Sequence, residues 1–173
     1  MPTPAPPSPG EEPTDERELY RFHFRRLIGW YVEALDVLPP EGYAWRPPAP
    51  GANSLAVMMS HVASSCEWWV LSCVGDGPLE RDRDAEFAAE IPWPAMRARL
   101  QRWLQQAEAL LDRMGPNDLQ AISRHPAGDR MNRRCLLHTV EHLGLHLGHL
   151  EITMDWWKAR HGGTLTGDAI AAG

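Results

Sequence analysis

Apolar residues recur at intervals of three and four along four long stretches of the chain, which is the periodicity of an amphipathic helix. The stretches span residues 14–38, 53–74, 92–114 and 132–160. Thr14 is suited to cap the first helix, and Asn53 or Ser54 to cap the second. Because four helices of bundle length occur without a convincing pair of strands, the pattern predicts an all-α four-helix bundle.

Proline and glycine separate these helices, because neither residue continues a helix well. They stand at Pro39-Pro40, Gly75 to Pro78, Gly115-Pro116 and Gly162-Gly163. The loop at residues 39–52 contains Tyr43 and Trp45, so we expect it to pack on the bundle. Residues 79–91 carry mixed charges and are predicted to form an exposed connection, and residues 115–130 form another linker. Connections of this length allow a crossover topology.

The chain of 173 residues is long enough to form one domain with a real core. Residues 1–13 are rich in proline and are predicted to be a disordered tail. Residues 14–161 then form the bundle, and residues 162–173 a flexible C-terminal tail.

The charge pattern argues against a nucleic-acid partner. The net charge is −6, Lys158 is the only lysine, and the arginines are interspersed with acids. Binding to phosphates needs clustered basic residues. No apolar run approaches the roughly 20 residues that cross a bilayer, and the proline-rich N-terminus lacks the apolar core of a signal peptide. We therefore expect a cytoplasmic protein without a membrane partner.

The three cysteines are Cys66, Cys73 and Cys135. An odd number without a secretion signal argues against a disulfide framework. We expect the cysteines to pack as small apolar side chains rather than to act in redox chemistry.

The fourth predicted helix carries histidines at positions 138, 142, 146 and 149, with spacings of 4, 4 and 3. At about 100° per residue they fall within an arc of about 80° on one face. The polar residues of the opposite arc are Glu141, Glu151, Asp155 and Lys158. This separation predicts that the histidines face the core and that the acids face water.

Histidines four residues apart on a helix can direct ring nitrogens at one metal ion. The segment contains such pairs at His138/His142 and His142/His146, and His61 on the second helix is the candidate for a further ligand. A lone helical histidine is more often an ordinary core residue. Four on one face would be costly to bury without partners, at roughly 1–3 kcal/mol for each unsatisfied group. A divalent metal is therefore predicted.

Two familiar metal sites do not fit. A His-Glu-x-x-His peptidase motif needs glutamate directly after the first histidine, but here Glu141 precedes His142. A di-iron bundle needs a Glu-x-x-His motif on two helices, and only one helix here has several candidate ligands. Bis-histidine haem binding stays open as a weaker alternative.

Several segments resemble the DinB/YfiT-like metalloenzyme superfamily. Residues 45–51 (WRPPAPG), 53–63 (NSLAVMMSHVA) and 67–69 (EWW) are similar to the second helix of that family and the segment before it. Residues 138–149 (HTVEHLGLHLGH) are similar to its last helix. The resemblance covers most of residues 15–160, and its two histidine motifs are specific in combination.

The resemblance implies a DinB-type bundle, often dimeric, that holds one divalent metal through a histidine of helix two and a His-x-x-x-His pair of helix four. In this chain these residues are His61, His142 and His146. One relative, the mycothiol-dependent maleylpyruvate isomerase, has glutamate in place of the first histidine of the pair. Other relatives are thiol S-transferases that use bacillithiol or mycothiol, and many have no known activity.

The motif commonly ends His-x-Gly-Gln in the family, whereas here it reads His146-Leu147-Gly148-His149. His149 is therefore a candidate for a fourth ligand or for a residue that orients the ligands, and His138, one turn before the pair, has the same two possibilities. We assign both to a supporting or core role, and Glu141 is a further candidate for orienting the ligands.

Three protein ligands leave a coordination position open, which is typical of a catalytic site. The leading hypothesis is a metal-dependent thiol S-transferase, or a hydrolase, that acts on a small molecule, with a low-molecular-weight thiol as partner. Zinc or nickel is expected, with iron and manganese as alternatives. Trp45, Trp69 and Trp156 are candidates for the wall of an apolar pocket. The alternative function is a metal- or ligand-binding stress-response protein without turnover, and a homodimer is expected in either case.

Overall fold

The computed structural model describes residues 13, 15–78, 80–88, 90–115, 117–126 and 128–162. The predicted tails at residues 1–13 and 162–173 therefore lie, apart from Pro13 and Gly162, outside the described residues.

Four long helices form the bundle. They are α1 (Glu16–Asp36), α3 (Leu55–Cys66, continued by a π-helical segment, Glu67–Val74), α5 (Trp93–Arg113) and α6 (Asn132–His161). The shorter elements are α2 (Pro40–Ala44), α4 (Arg83–Ala88) and a 3₁₀ turn (Asp118–Gln120). The described residues contain no β-strand beyond one isolated bridge between Ile122 and Met131. The predicted all-α bundle is confirmed.

The helices are arranged so that α1 and α3 both pack against α5 and α6. Consecutive long helices α1 and α3 therefore occupy opposite corners of the bundle, which the long connections allow. Trp103 of α5 is 1% exposed and meets the ring of Phe24 on α1 edge-on, with the ring centroids 5.1 Å apart. The buried Tyr31 hydroxyl donates to the carbonyl of Leu143 at 2.8 Å and links α1 to α6.

Local hydrogen bonds from side chains cap the first turns of α1 and α3. The first helix begins at Glu16, and its cap is Asp15, whose carboxylate accepts from the Arg17 backbone N–H at 2.9 Å. Thr14, the cap predicted from the sequence, lies outside the described residues. At α3 the hydroxyl of Ser54 accepts from the Val57 N–H at 3.3 Å, which decides between the two predicted caps.

The prediction of an exposed connection at residues 79–91 is wrong in one respect. This segment contains α4, and Glu86 within it is only 6% exposed. The Asp82 carboxylate accepts from the Ala85 N–H at 2.9 Å and starts the helix, which turns Glu86 inward. Mixed charge suggested a solvated segment, but one of these charges has its partners inside the protein.

The loop before α3 packs on the bundle as predicted. Tyr43 is buried, and the ring of Trp45 lies 5.9 Å from that of His161.

The three cysteines are buried free thiols. Burial raises the pKa of Cys73 to about 12 and also raises that of Cys66 and Cys135. The thiols therefore pack as small apolar groups, as expected. None of the described helices has both the length and the apolar character that crossing a bilayer requires.

Candidate metal centre

Three histidines from two helices meet where α3 packs against α6. One ring nitrogen of each of His61, His142 and His146 lies within 4.8 Å of those of the other two. Nε2 of His61 lies 3.1 Å from Nε2 of His142. The structure thus brings together the three residues that the family resemblance predicted as metal ligands, called the triad below.

A buried carboxylate orients the first of these rings. Nδ1 of His61 donates to Oε2 of Glu86 at 3.0 Å. Because an ionised carboxylate only accepts, this bond keeps the proton on Nδ1 and leaves a lone pair on Nε2. The arrangement is that of a metal-ligating histidine whose other nitrogen is held by a carboxylate.

Arg81 in turn holds Glu86. Its Nε and Nη2 donate to the two carboxylate oxygens at 2.5 and 2.9 Å. Burial raises the pKa of Glu86, but the hydrogen bonds from Arg81 and His61 outweigh it and leave the pKa below its ordinary value. Glu86 is therefore ionised at neutral pH. Sequence reasoning missed this residue, because nothing in residues 79–91 distinguishes it from the other acids.

The two α6 histidines of this cluster, His142 and His146, are neutral at physiological pH. Burial, followed by the neighbouring His146 and His61, lowers the pKa of His142 to about 3. Burial, followed by His61, lowers the pKa of His146 to about 4. Neutral imidazole is the form that binds a metal ion.

The spacing of the ring nitrogens fits a bound metal ion. Two nitrogen ligands of a tetrahedral zinc ion, each about 2.0–2.1 Å from it, lie roughly 3.3 Å apart, close to the 3.1 Å between His61 and His142. Nδ1 of His142 and Nδ1 of His146 are buried without a hydrogen-bond partner among the described residues. An ion held through Nε2 of His142 would not reach Nδ1 of the same ring, so this unpaired atom is a cost of the site that the ion does not remove.

Two further histidines of α6, His138 and His149, lie beside this centre. The ring of His138 is 4.4 Å from that of Trp69, and its Nδ1 is 4.0 Å from the Glu141 carboxylate. The ring of His149 is 5.4 Å from that of His146. Among the described residues, the carboxylate that holds a triad histidine is Glu86 and not Glu141. The supporting roles predicted for these three residues stay predictions.

The prediction that all four histidines face the core is wrong. His149 is exposed, and His138, His142 and His146 are half-buried. A buried residue of α6 follows each of these histidines by one position, and these residues are Thr139, Leu143, Leu147 and Leu150. The histidines instead line the edge of the α3–α6 contact, since polar rings are accommodated where the core meets open space.

Two open cavities meet at the triad. The larger, about 490 Å³, includes His61 and His142, and the smaller, about 340 Å³, includes His61 and His146. Of the three tryptophans predicted as a pocket wall, Trp69 lines the larger cavity. Trp45 packs against His161, and Trp156 is 53% exposed. The triad is thus open on two sides and accessible to small molecules.

The π-helical segment forms the aromatic wall of the larger cavity. It places Trp68 and Trp69 edge-to-face, with ring centroids 5.0 Å apart, and stacks Trp69 on His125 at 4.7 Å. A π-helix widens the turn and rotates the following side chains, and it occurs frequently at functional sites. Helical periodicity alone could not indicate this change of register.

The comparison with models of protein families identifies the family of the chain. The model of the DinB superfamily matches residues 23–150, which is more than half of the chain. The chain belongs to the DinB superfamily. The resemblance found in the sequence is thereby confirmed, and the matched range contains the three histidines of the triad.

Two solved structures show the same fold. A DinB-like protein from Bacillus cereus ATCC 10987 is 18% identical with a TM-score of 0.59, over 87% of this chain and 93% of that one. A conserved protein from Enterococcus faecalis is 14% identical with a TM-score of 0.65, over 82% of this chain and 96% of that one. At this identity the likeness concerns the fold alone. Comparison with curated proteins finds no match.

Proposed function

We propose that this DinB-family protein is a metal-dependent enzyme in which His61, His142 and His146 bind one divalent ion. The observation that carries the proposal is the convergence of three ring nitrogens within 4.8 Å beside two open cavities. Neutral nitrogen ligands suit zinc or nickel, with iron and manganese as alternatives.

The reaction that fits best is transfer of a thiol to a small electrophile. His61, His142 and His146 would leave one coordination position of the ion open, and the charge of the ion would favour the thiolate form of a thiol at neutral pH. The thiol would lose its proton to water in the open cavity. The sulfur electron pair would form a bond to the electrophilic carbon, and the leaving group would depart with the electron pair of the bond that breaks.

The residues of the chain have separate tasks in this proposal. Glu86 keeps the proton on Nδ1 of His61 and so presents Nε2 to the ion. Arg81 keeps Glu86 ionised and fixed in place. Trp69 covers one side of the larger cavity and limits the access of water to the sulfur.

We also propose a homodimer that forms across the outer face of α6. Leu145 and Trp156 on this face are 59% and 53% exposed. Large exposed apolar side chains in a row are typical of an interaction surface. A cytoplasmic location remains part of the proposal.

The proposal is tested by metal analysis of the full chain purified without a nickel column. We expect close to one ion per chain, and loss of that ion in His146→Ala. His23→Ala, which removes a histidine of α1 outside the cluster, is the matched control and should keep the ion. A wild-type protein whose melting temperature does not respond to added zinc or nickel contradicts the proposal.

Catalysis is tested separately from binding. The metal-loaded protein is incubated with a panel of low-molecular-weight thiols and alkyl or epoxide electrophiles, and free thiol is measured over time. Metal-dependent consumption of a thiol supports the transferase. Metal binding without consumption of any thiol supports the stress-response binding protein instead.

A further inference from the structure

The two cavities at the triad differ in charge. The larger cavity is lined by Arg81 and Arg83 and, among the described residues, by no carboxylate. The smaller cavity is lined by apolar side chains such as Met58, Phe87 and Ile152, and the lining residues that the structure describes include no arginine, lysine or carboxylate. The triad therefore has a cationic side and an apolar side.

The two arginines of the larger cavity have different surroundings. Arg81 is 14% exposed, holds Glu86 with two of its nitrogens and lies over the ring of Trp68 at 5.6 Å. Arg83 is exposed, and its guanidinium has no ion-pair partner in the part of the chain that the structure describes. Arg81 is thus committed to the metal centre, whereas Arg83 is available to a ligand.

Aromatic side chains form one wall of the same cavity. Trp69 contacts His125 and His138, with ring centroids 4.7 and 4.4 Å apart. Nδ1 of His125 accepts from Nε of Arg130 at 3.3 Å, so the proton of this neutral imidazole is on Nε2. Arg83 lines this cavity as well, and a guanidinium suits the carboxylate end of a small organic molecule.

We propose that the larger cavity is the thiol subsite, and that Arg83 selects a thiol that carries a carboxylate. The inference rests on the proposed function, because the sulfur of this thiol is assigned to the triad. The apolar cavity on the other side of His61 is left for the uncharged electrophile. The site thus takes an anionic low-molecular-weight thiol and an apolar second substrate from different directions.

The test compares two thiols that differ in charge and little in size. Binding of N-acetylcysteine, which has a carboxylate, and of N-acetylcysteinamide, which is neutral, is measured by calorimetry on the zinc-loaded full chain. The ratio of the two dissociation constants is compared between the wild type and Arg83→Gln. This double comparison removes the intrinsic difference between the two thiols.

We expect Arg83→Gln to shift the ratio by about fivefold against the carboxylate, the effect of an exposed ion pair. Arg83→Glu should shift it further, and Arg83→Lys should retain part of the preference. The shift should shrink at high salt, because exposed charges are screened. Arg102→Gln, at an exposed position of α5, is the matched control and should leave the ratio unchanged.

The outcomes separate the two proposals. If both thiols bind the zinc-loaded protein and the ratio is the same in wild type, Arg83→Gln and Arg83→Glu, the subsite is wrong and the metal centre stands. If the protein binds no zinc, the proposed function itself fails. A shift in the ratio that salt does not diminish also overturns the subsite, since it would report a structural effect of the substitution.

Discussion

Nδ1 of His61 donates to Oε2 of Glu86 at 3.0 Å. This hydrogen bond connects α4, in the segment of mixed charge at residues 79–91, to the candidate metal site. The two residues are separated by 25 positions in the chain, and both are less than 10% exposed. This bond sets the tautomer of His61, so the geometry of the triad depends on a residue that binds no metal itself.

Glu86→Gln should weaken zinc binding by about 10- to 100-fold, because the carboxylate that orients His61 is lost. Competition with a chelator of known affinity measures this change. Glu90→Gln is the matched control, since Glu90 is exposed and pairs with Arg46 on the surface. Equal zinc affinity in Glu86→Gln and the wild type would show that the bond does not support the site.

Tyr31→Phe should lower the free energy of unfolding by about 1 kcal/mol, because the buried hydrogen bond to the Leu143 carbonyl is lost. Tyr43→Phe is the control. The hydroxyl of Tyr43 is buried without a partner among the described residues, so its removal should be neutral or stabilising. Denaturant midpoints of the metal-free proteins measure both. A loss for Tyr43→Phe as large as that for Tyr31→Phe contradicts this interpretation.

The stability of the metal-free protein should fall as the pH falls below about 6.5. Burial lowers the pKa of His142 to about 3 and that of His146 to about 4, from an ordinary value of 6.5. The unfolded chain therefore binds more protons than the folded one in this range, and its population rises. The slope should end near pH 3–4, where the folded protein also takes up protons.

Thermal unfolding between pH 4 and 8 measures this slope. In His142→Asn/His146→Asn the dependence between pH 4 and 6.5 should be reduced, because neither substituted side chain titrates. A slope that is unchanged in the double variant would assign the pH dependence to other groups.

Trp156→Glu combined with Leu145→Glu should convert the proposed homodimer to a monomer. Both side chains lie on the outer face of α6 and are more than half exposed, so the charges can be accommodated in the monomer. Sedimentation or light scattering gives the mass. Glu18→Lys on α1, also at an exposed position, is the control and should leave the mass unchanged. A wild type that is monomeric at all concentrations excludes the dimer.

Much of the fold follows from the sequence, because helix formation depends on local periodicity and on caps. The intervals of the apolar residues predicted the four long helices, and the hydroxyl of Ser54 caps α3 at one of the two predicted positions. The π-helical segment at Glu67–Val74 was not predictable, since its wider turn arises from packing and leaves no separate pattern.

The candidate site, too, could be predicted only in part from the sequence. Spacing indicated that histidines of one helix share a face, and family resemblance selected His61, His142 and His146. Only the tertiary structure brought His61 to 3.1 Å from His142, across 81 positions, and placed His149 in solvent. It also decided that Glu86 is a buried, ionised partner, because the desolvation of a carboxylate is offset only by specific donors that folding supplies, here Arg81 and His61.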